Sequence, residues 1–200
     1  ENSIWSGQPG YYDRDGAYRH LPEVRRLLFA GQPAEAEAIV NREFLGERPL
    51  GSYQPLGDLW LEFPGHDAAT DYRRELDLDT AIARTTYRVG ATTFRREVLA
   101  SVPSQAIVVE LSADQAGRVD CDLRLGRAEG AVATALDDGT LELRGQADAG
   151  KPTAGVKFTA RLVVRLDGGS STRNGSTLQV RGANRVTLLL NAGTNYRGCL

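Results

Sequence analysis

The sequence predicts a mainly β protein, a large antiparallel β-sandwich that carries a helical hairpin near residues 22–45. Two observations predict this fold class. Apolar residues recur at helical spacing only before Tyr53, and from Tyr53 almost to the end they alternate with polar residues. No helices alternate with the later strands, so a two-sheet sandwich is favoured over a parallel α/β sheet.

Two adjoining amphipathic segments predict the helical hairpin. The first helix starts near Pro22 and stops at Gly31, a residue type that accepts the left-handed conformation found at helix ends. The second starts near Pro33 and stops at Gly46. We expect the hairpin to cover one edge or face of the sandwich. Its apolar stripes consist of Val24, Leu27, Leu28, Ala36, Ile39, Val40 and Phe44.

Ten strands are predicted after the hairpin, each a short alternating segment bounded by Gly, Asp, Asn or Pro. Trp60 stands in the middle of the first of them and is expected in the core. Because neither a dividing linker nor a fixed repeat is visible, residues 1–200 are predicted to form a single domain. The strands span residues 59–63, 72–79, 81–89, 93–101, 106–112, 119–125, 140–145, 156–166, 177–180 and 185–191, with hairpin turns at 137–140 and 174–177.

Composition argues against several classes of partner and cofactor. A net charge of -2, with arginines spread between acids, argues against nucleic acid. No apolar run approaches the roughly 18 residues of a membrane helix. The two cysteines and two histidines fit no zinc spacing, so we expect no metal and no cofactor. Cys121 is predicted to be a buried thiol and Cys199 a loose terminal one.

The sharpest candidate for catalysis is the acidic segment RRELDLD. On a strand, Glu75, Asp77 and Asp79 would share one face at the roughly 6.5–9.5 Å spacing of carboxylates in an inverting glycosidase. Any acidic strand face has this spacing, however, and Arg73 on the same face would lower carboxylate pKa values rather than raise one. We therefore interpret the cluster as a solvated strand face and predict no catalytic residue in this chain.

The remaining candidate functional residues give weaker signals than the acidic segment, except for a group of N-terminal aromatic residues. His20 precedes a helix and His66 lies in a loop, so both are expected to be surface or capping residues. Neither serine elbows nor phosphate-binding loops are recognisable. The N-terminal aromatics suit sugar faces and protein interfaces alike, and a structural role that pins the first loop is equally compatible with Trp5. This group consists of Trp5, Tyr11, Tyr12 and Tyr18.

Six segments carry a family resemblance that extends over nearly the whole chain. They read ENSIWSG, LPEVRRLLFAGQPAEAEAIV, YQPLGDLWLEF, YRRELDLDTAIARTTYRV, FRREVLASVPSQAIVVEL and RGANRVTLLLNAGTNY. In this order they resemble the N-terminal domain of glycoside hydrolase family 95, whose best-known members are α-L-fucosidases. The resemblance implies a β "super-sandwich" that precedes a catalytic (α/α)-barrel outside this chain. It also suggests that a strand or two and a signal peptide precede Glu1.

The resemblance implies a non-catalytic domain of an inverting exo-glycosidase, expected to be a secreted or periplasmic bacterial α-L-fucosidase acting on oligosaccharides. Its partner would be the downstream barrel of the same polypeptide, with Glu1, Asn2 and Trp5 facing the mouth of the active site. Two alternatives remain open: a self-sufficient carbohydrate-binding module, or the same domain of a relative acting on α-galactosides or of a disaccharide phosphorylase.

Overall fold

The structure is a computed structural model that describes residues 3–7, 13–46, 51–136 and 139–197. The described residues form helices α1 (Leu21–Phe29) and α2 (Pro33–Glu43), preceded by a 3₁₀ turn at Ala17–His20. They also form fourteen strands: β1 Ser3–Trp5, β2 Tyr53–Pro55, β3 Asp58–Glu62, β4 Thr70–Asp77, β5 Ile82–Val89, β6 Thr92–Ser101, β7 Ala106–Ala113, β8 Val119–Gly126, β9 Ala131–Ala135, β10 Thr140–Gln146, β11 Lys157–Asp167, β12 Ser170–Asn174, β13 Thr177–Ala183 and β14 Arg185–Thr194.

The strands form two facing sheets and a small two-stranded ribbon, and all their pairings are antiparallel. The larger sheet has eight strands in the order β4-β5-β6-β7-β14-β11-β10-β9. The smaller has four in the order β12-β13-β8-β3, and the ribbon joins β1 to β2. This architecture confirms the predicted antiparallel sandwich. Neighbours such as β7 and β14 are far apart in sequence, so long-range pairing sets the topology.

The core lies between the two sheets and is almost entirely aliphatic. Every second side chain of β8 and β11, and of β14 as far as Leu190, points into it, as the period of two requires. Leu123, Leu162 and Leu188 are fully buried there. Cys121 also lies in this layer as a buried free thiol, and burial raises its pKa to about 12. The predicted buried thiol is confirmed, whereas Cys199 lies outside the described residues.

The helical hairpin forms where the sequence predicts it and has a small core of its own. Gly31 adopts a φ of +72° between the two helices, which satisfies the expected left-handed stop. Val24, Leu27 and Ala36 form a buried cluster separate from the sandwich core, and Ile39, Val40 and Phe44 pack against it. None of the described helices is long and apolar enough to cross a membrane.

Two predictions about individual side chains are wrong. Trp60 is 45% exposed, because Leu59 and Leu61 turn toward the core and place the alternate position of β3 outside. His66 is half-buried rather than a surface residue. Its ring stacks on Phe63, and its Nδ1 lies 2.8 Å from the hydroxyl oxygen of Tyr87.

Candidate functional site

The candidate site is the two-stranded ribbon at the start of the chain, where an aromatic pair faces outward. β1 pairs with β2 so that Trp5 lies opposite Tyr53. The two ring centroids are 5.0 Å apart with an interplanar angle of 65°, an edge-to-face contact. Ile4 and Ser6 on either side are buried, whereas Trp5 is 43% and Tyr53 76% exposed. The alternation of the strand therefore anchors the segment and presents the pair of rings to solvent.

Two glycines allow neighbouring backbones to clamp the Trp5–Ser6 segment. A Cβ atom added to Gly51 would lie 1.8 Å from the carbonyl oxygen of Ser6. One added to Gly155 would lie 2.3 Å from the carbonyl oxygen of Trp5. No side chain fits at either position, so the segment is held between two bare backbones.

Hydrogen bonds fix the same segment on both sides. Ser6 donates its backbone N–H to the carbonyl oxygen of Ser52 at 2.9 Å, and its Oγ accepts the N–H of Ser52 at 2.8 Å. On the other side, Val156 donates its N–H to the carbonyl oxygen of Trp5 at 3.2 Å, and Gly7 donates to that of Thr153. The direction of the Trp5 side chain is therefore set by the folded backbone around it.

Asp148 ties the ribbon to the loop that follows β10. Its carboxylate accepts hydrogen bonds from Thr153 Oγ1 at 2.7 Å and from Gln54 Nε2 at 2.9 Å. The pKa of Asp148 is lowered to about 2, chiefly by these two hydrogen bonds. Gln54 Oε1 in turn accepts from the Arg127 guanidinium, which lies 5.1 Å above the Phe158 ring. Asp148 also has a φ of +49°, a left-handed conformation that aspartate tolerates better than most residues.

The structure places only one of the three predicted site residues. Trp5 lies in β1 with an exposed side chain, while Glu1 and Asn2 lie outside the described residues. Sequence reasoning missed Tyr53 and Asp148 as members of this site. The sequence contains no signal for Asp148, since its partner Gln54 is 94 positions away.

The acidic cluster on β4 contains carboxylates whose pKa values are lowered, whereas a general acid needs a raised pKa. Glu75 forms ion pairs of 2.7 Å with both Arg84 and Arg73, and the hydrogen bond from Arg84 is the main reason that its pKa is lowered. Asp77 accepts hydrogen bonds from the residues after it, chiefly Thr80, which lowers its pKa as well. Asp79 lies beyond the end of β4, so the predicted continuous strand face is wrong there. Glu75 and Asp77 are therefore held ionised at the surface of β4.

Other chemistry is also weak among the residues that the structure describes. His66 titrates below its ordinary pKa because burial among aromatic rings disfavours the charged imidazolium. Within the same residues, His, Cys, Asp and Glu side chains form no group of three or more that could hold a metal ion. Among the described residues, the arrangement presents an anchored aromatic pair and no assembled catalytic pair.

The chain is similar to proteins named as fucosidases. A protein from Arabidopsis thaliana named "Alpha-L-fucosidase 2" is 34% identical over 99% of this chain and 26% of its own length. One from Aspergillus niger named "Probable alpha-fucosidase A" is 30% identical over 98% of this chain and 24% of its own. The chain thus spans about a quarter of the length of these relatives.

A solved structure named "Putative kojibiose phosphorylase from human microbiome" aligns with 73% of this chain and 24% of its own, at 10% identity and a TM-score of 0.44. A likeness at that level adds nothing to the assignment.

The fold and a matching family profile together define the class: an antiparallel sandwich domain of a glycoside hydrolase. The sequence profile described as glycosyl hydrolase family 65, N-terminal domain, matches residues 1–199. The chain therefore belongs to this family of N-terminal domains. The coarser part of the sequence prediction, an N-terminal domain of a glycoside hydrolase, is confirmed, while the matching profile is described as family 65 and is not specific to family 95.

Proposed function

We propose that this chain is the non-catalytic N-terminal domain of an inverting exo-glycosidase of the family 95 kind, an α-L-fucosidase that acts on oligosaccharides. The observation that carries the proposal is the similarity to two proteins named as fucosidases over nearly the full length of this chain. The lowered pKa values of Glu75 and Asp77 on β4 support a non-catalytic role, because a general acid needs a raised pKa.

The partner in this proposal is a catalytic barrel further along the same polypeptide. Trp5 and Tyr53 support it, because a half-exposed tryptophan clamped by two backbones is already ordered for contact with another surface. Interfaces favour aromatic residues that lose little conformational entropy on docking. Glu1 and Asn2 directly precede β1 and are proposed to face the barrel with it. We propose that the longer protein is secreted or periplasmic.

A second candidate is a self-sufficient carbohydrate-binding module. The observation in its favour is the exposure of large aromatic side chains on this sandwich, Trp5, Tyr53 and Trp60 among them. Titration of this chain with fucosylated oligosaccharides, followed at the Trp5 ribbon, separates the two candidates. Binding at the Trp5 ribbon by the isolated chain would favour the module.

The test of the proposed function is hydrolysis of an aryl α-L-fucoside. We expect a longer protein that continues past Leu200 to release the aryl alcohol and the 200-residue chain to be inactive. Turnover by this chain that disappears in Glu75→Gln or Asp77→Asn would contradict the non-catalytic assignment. If the longer protein hydrolyses an α-galactoside and not the fucoside, the proposed sugar specificity is wrong and the domain assignment stands.

The interface with the barrel has its own test in Trp5→Ala. In the longer protein we expect a loss of about 3 kcal/mol of stability, as for truncation of a buried aromatic, together with reduced hydrolysis. In this chain the loss should be smaller, because the side chain is already 43% exposed. Equal losses in both would mean that Trp5 only pins its own ribbon.

A further inference from the structure

The outer face of the four-stranded sheet presents the second tryptophan among polar side chains. Trp60 on β3 lies in register with Arg124 on β8, which lies in register with Thr177 on β13. The neighbouring row across the same strands consists of Glu62, Asp122 and Gln179. Adjacent strands are about 4.8 Å apart and rows about 7 Å apart, so the face is a shallow platform wider than one sugar ring.

Contacts hold the Trp60 indole in place and leave nearly half of it open. The Arg124 guanidinium carbon lies 5.0 Å from the indole centroid, a cation–π contact. Arg124 also donates to Glu62 Oε1 at 3.1 Å, which orients the guanidinium. The indole nitrogen lies beside Gly126, where an added Cβ would be 3.4 Å away. Trp60, a residue that is 45% exposed, thus presents a positioned ring to solvent.

We propose that this face is a carbohydrate-binding surface, separate from the Trp5 ribbon, that takes a neutral oligosaccharide. A pyranose has a face of C–H groups and a rim of hydroxyls, so it can stack on an aromatic ring while its rim meets polar groups. Around Trp60 the rim would meet the carboxylate of Glu62, the guanidinium of Arg124 and the hydroxyl of Thr177. Gln179 adds an amide one row further along β13.

The charges of the face favour a neutral ligand over a polyanion. Arg124 is paired with Glu62 at 3.1 Å, and Arg181 is paired with Asp122 at 2.6 Å. With both arginines neutralised by carboxylates, the face lacks the basic excess that attracts nucleic acid or acidic polysaccharide.

The polarity of the same neighbours favours a sugar over a protein partner. Interface cores are patches of adjoining apolar residues from which charged groups are depleted. Trp60 instead has Asp58 and Glu62 on its own strand face and Arg124 across from it. A single ring surrounded by hydrogen-bonding groups matches a hydroxyl-rich ligand. The choice of carbohydrate as ligand class rests on the proposed function, whereas the geometry of the face does not.

The chain has only two tryptophans, so each surface can be observed alone by fluorescence. Trp5→Phe leaves Trp60 as the sole indole, and Trp60→Phe leaves Trp5, whose exposure is nearly the same. Each variant is titrated with 2′-fucosyllactose and with cellotetraose. We expect a saturable change in Trp60 emission with at least one sugar. Constant Trp60 emission with both sugars, or a saturable response of Trp5 alone, would overturn the proposal.

Calorimetry on replacements of Trp60 tests stacking itself. Trp60→Phe should retain affinity within about threefold, and Trp60→Ala should weaken it about tenfold or more, the size of a lost aromatic contact. Unchanged affinity in Trp60→Ala would overturn the proposal, as would self-association that depends on Trp60 without sugar binding. Thermal unfolding verifies that the variants fold. Because no readout here involves fucoside hydrolysis, failure of this proposal and failure of the proposed function are distinguishable.

Discussion

Replacing Gly155 with alanine should displace the Trp5 ribbon, and the cost can be estimated from the structure. The added Cβ would lie 2.3 Å from the Trp5 carbonyl oxygen, against 3.4 Å or more for an ordinary contact. β1 must therefore move by about 1 Å, an overpacking that costs about 1–3 kcal/mol. The bond from Val156 to Trp5, worth about 1 kcal/mol, is lost as well. Alanine also lowers the conformational entropy of the unfolded chain, which offsets about 0.5 kcal/mol of the loss in stability.

The expected loss is thus about 2–3 kcal/mol of unfolding free energy, read from urea denaturation followed by circular dichroism. Gly193→Ala is the matched control, because Gly193 lies in β14 and its added Cβ would meet no atom within 4 Å. The control should change stability by less than about 0.5 kcal/mol. If Gly155→Ala and Gly193→Ala agree within that margin, the backbone clamp around Trp5 does not exist as described.

Three further predictions concern titration, packing and thiol reactivity. Asp148→Asn should lower the melting temperature at pH 7 and lose this effect between about pH 4 and pH 2, because a carboxylate with a depressed pKa of about 2 stabilises only while ionised. An equal deficit in melts at pH 7 and pH 2 would contradict this. Leu123→Ala should cost about 3–5 kcal/mol in urea denaturation, whereas Leu78→Ala, at an 83% exposed position, should cost under about 0.5 kcal/mol. In a Cys199→Ser background, Cys121 should not react with Ellman's reagent at pH 8 until denaturant is added, and rapid reaction of the native chain would disprove its burial.

The larger part of the fold follows from local pattern. The period of two after Tyr53 predicts a sandwich because it requires one buried face per strand. Four short strands escaped the sequence analysis, namely β1, β2, β9 and β12. Each has at most five residues, so alternation is hard to distinguish from chance, although β3, which also has five, was predicted. Local pattern therefore predicts long elements well and short ones poorly.

What the sequence determined by itself was the secondary structure of the long segments, the helical hairpin and the likeness to glycoside hydrolase domains. Tertiary structure decided which face of each strand is buried. The segment LWLEF is apolar at both alternate positions except Glu62, so period alone could not tell whether Trp60 or its leucine neighbours point inward. Packing against the larger sheet placed Leu59 and Leu61 inside and turned Trp60 outward.

Tertiary structure also assembled the Trp5 ribbon. Tyr53 and Gly155 meet Trp5, and Asp148 meets Gln54 of the partner strand β2, only after the chain has closed loops of about 50 to 150 residues. Such contacts leave no local periodicity, because each depends on where a distant backbone passes. The sequence shows that residue 5 is a tryptophan, but the exposure and orientation of its side chain depend on the backbone that surrounds it in the folded protein.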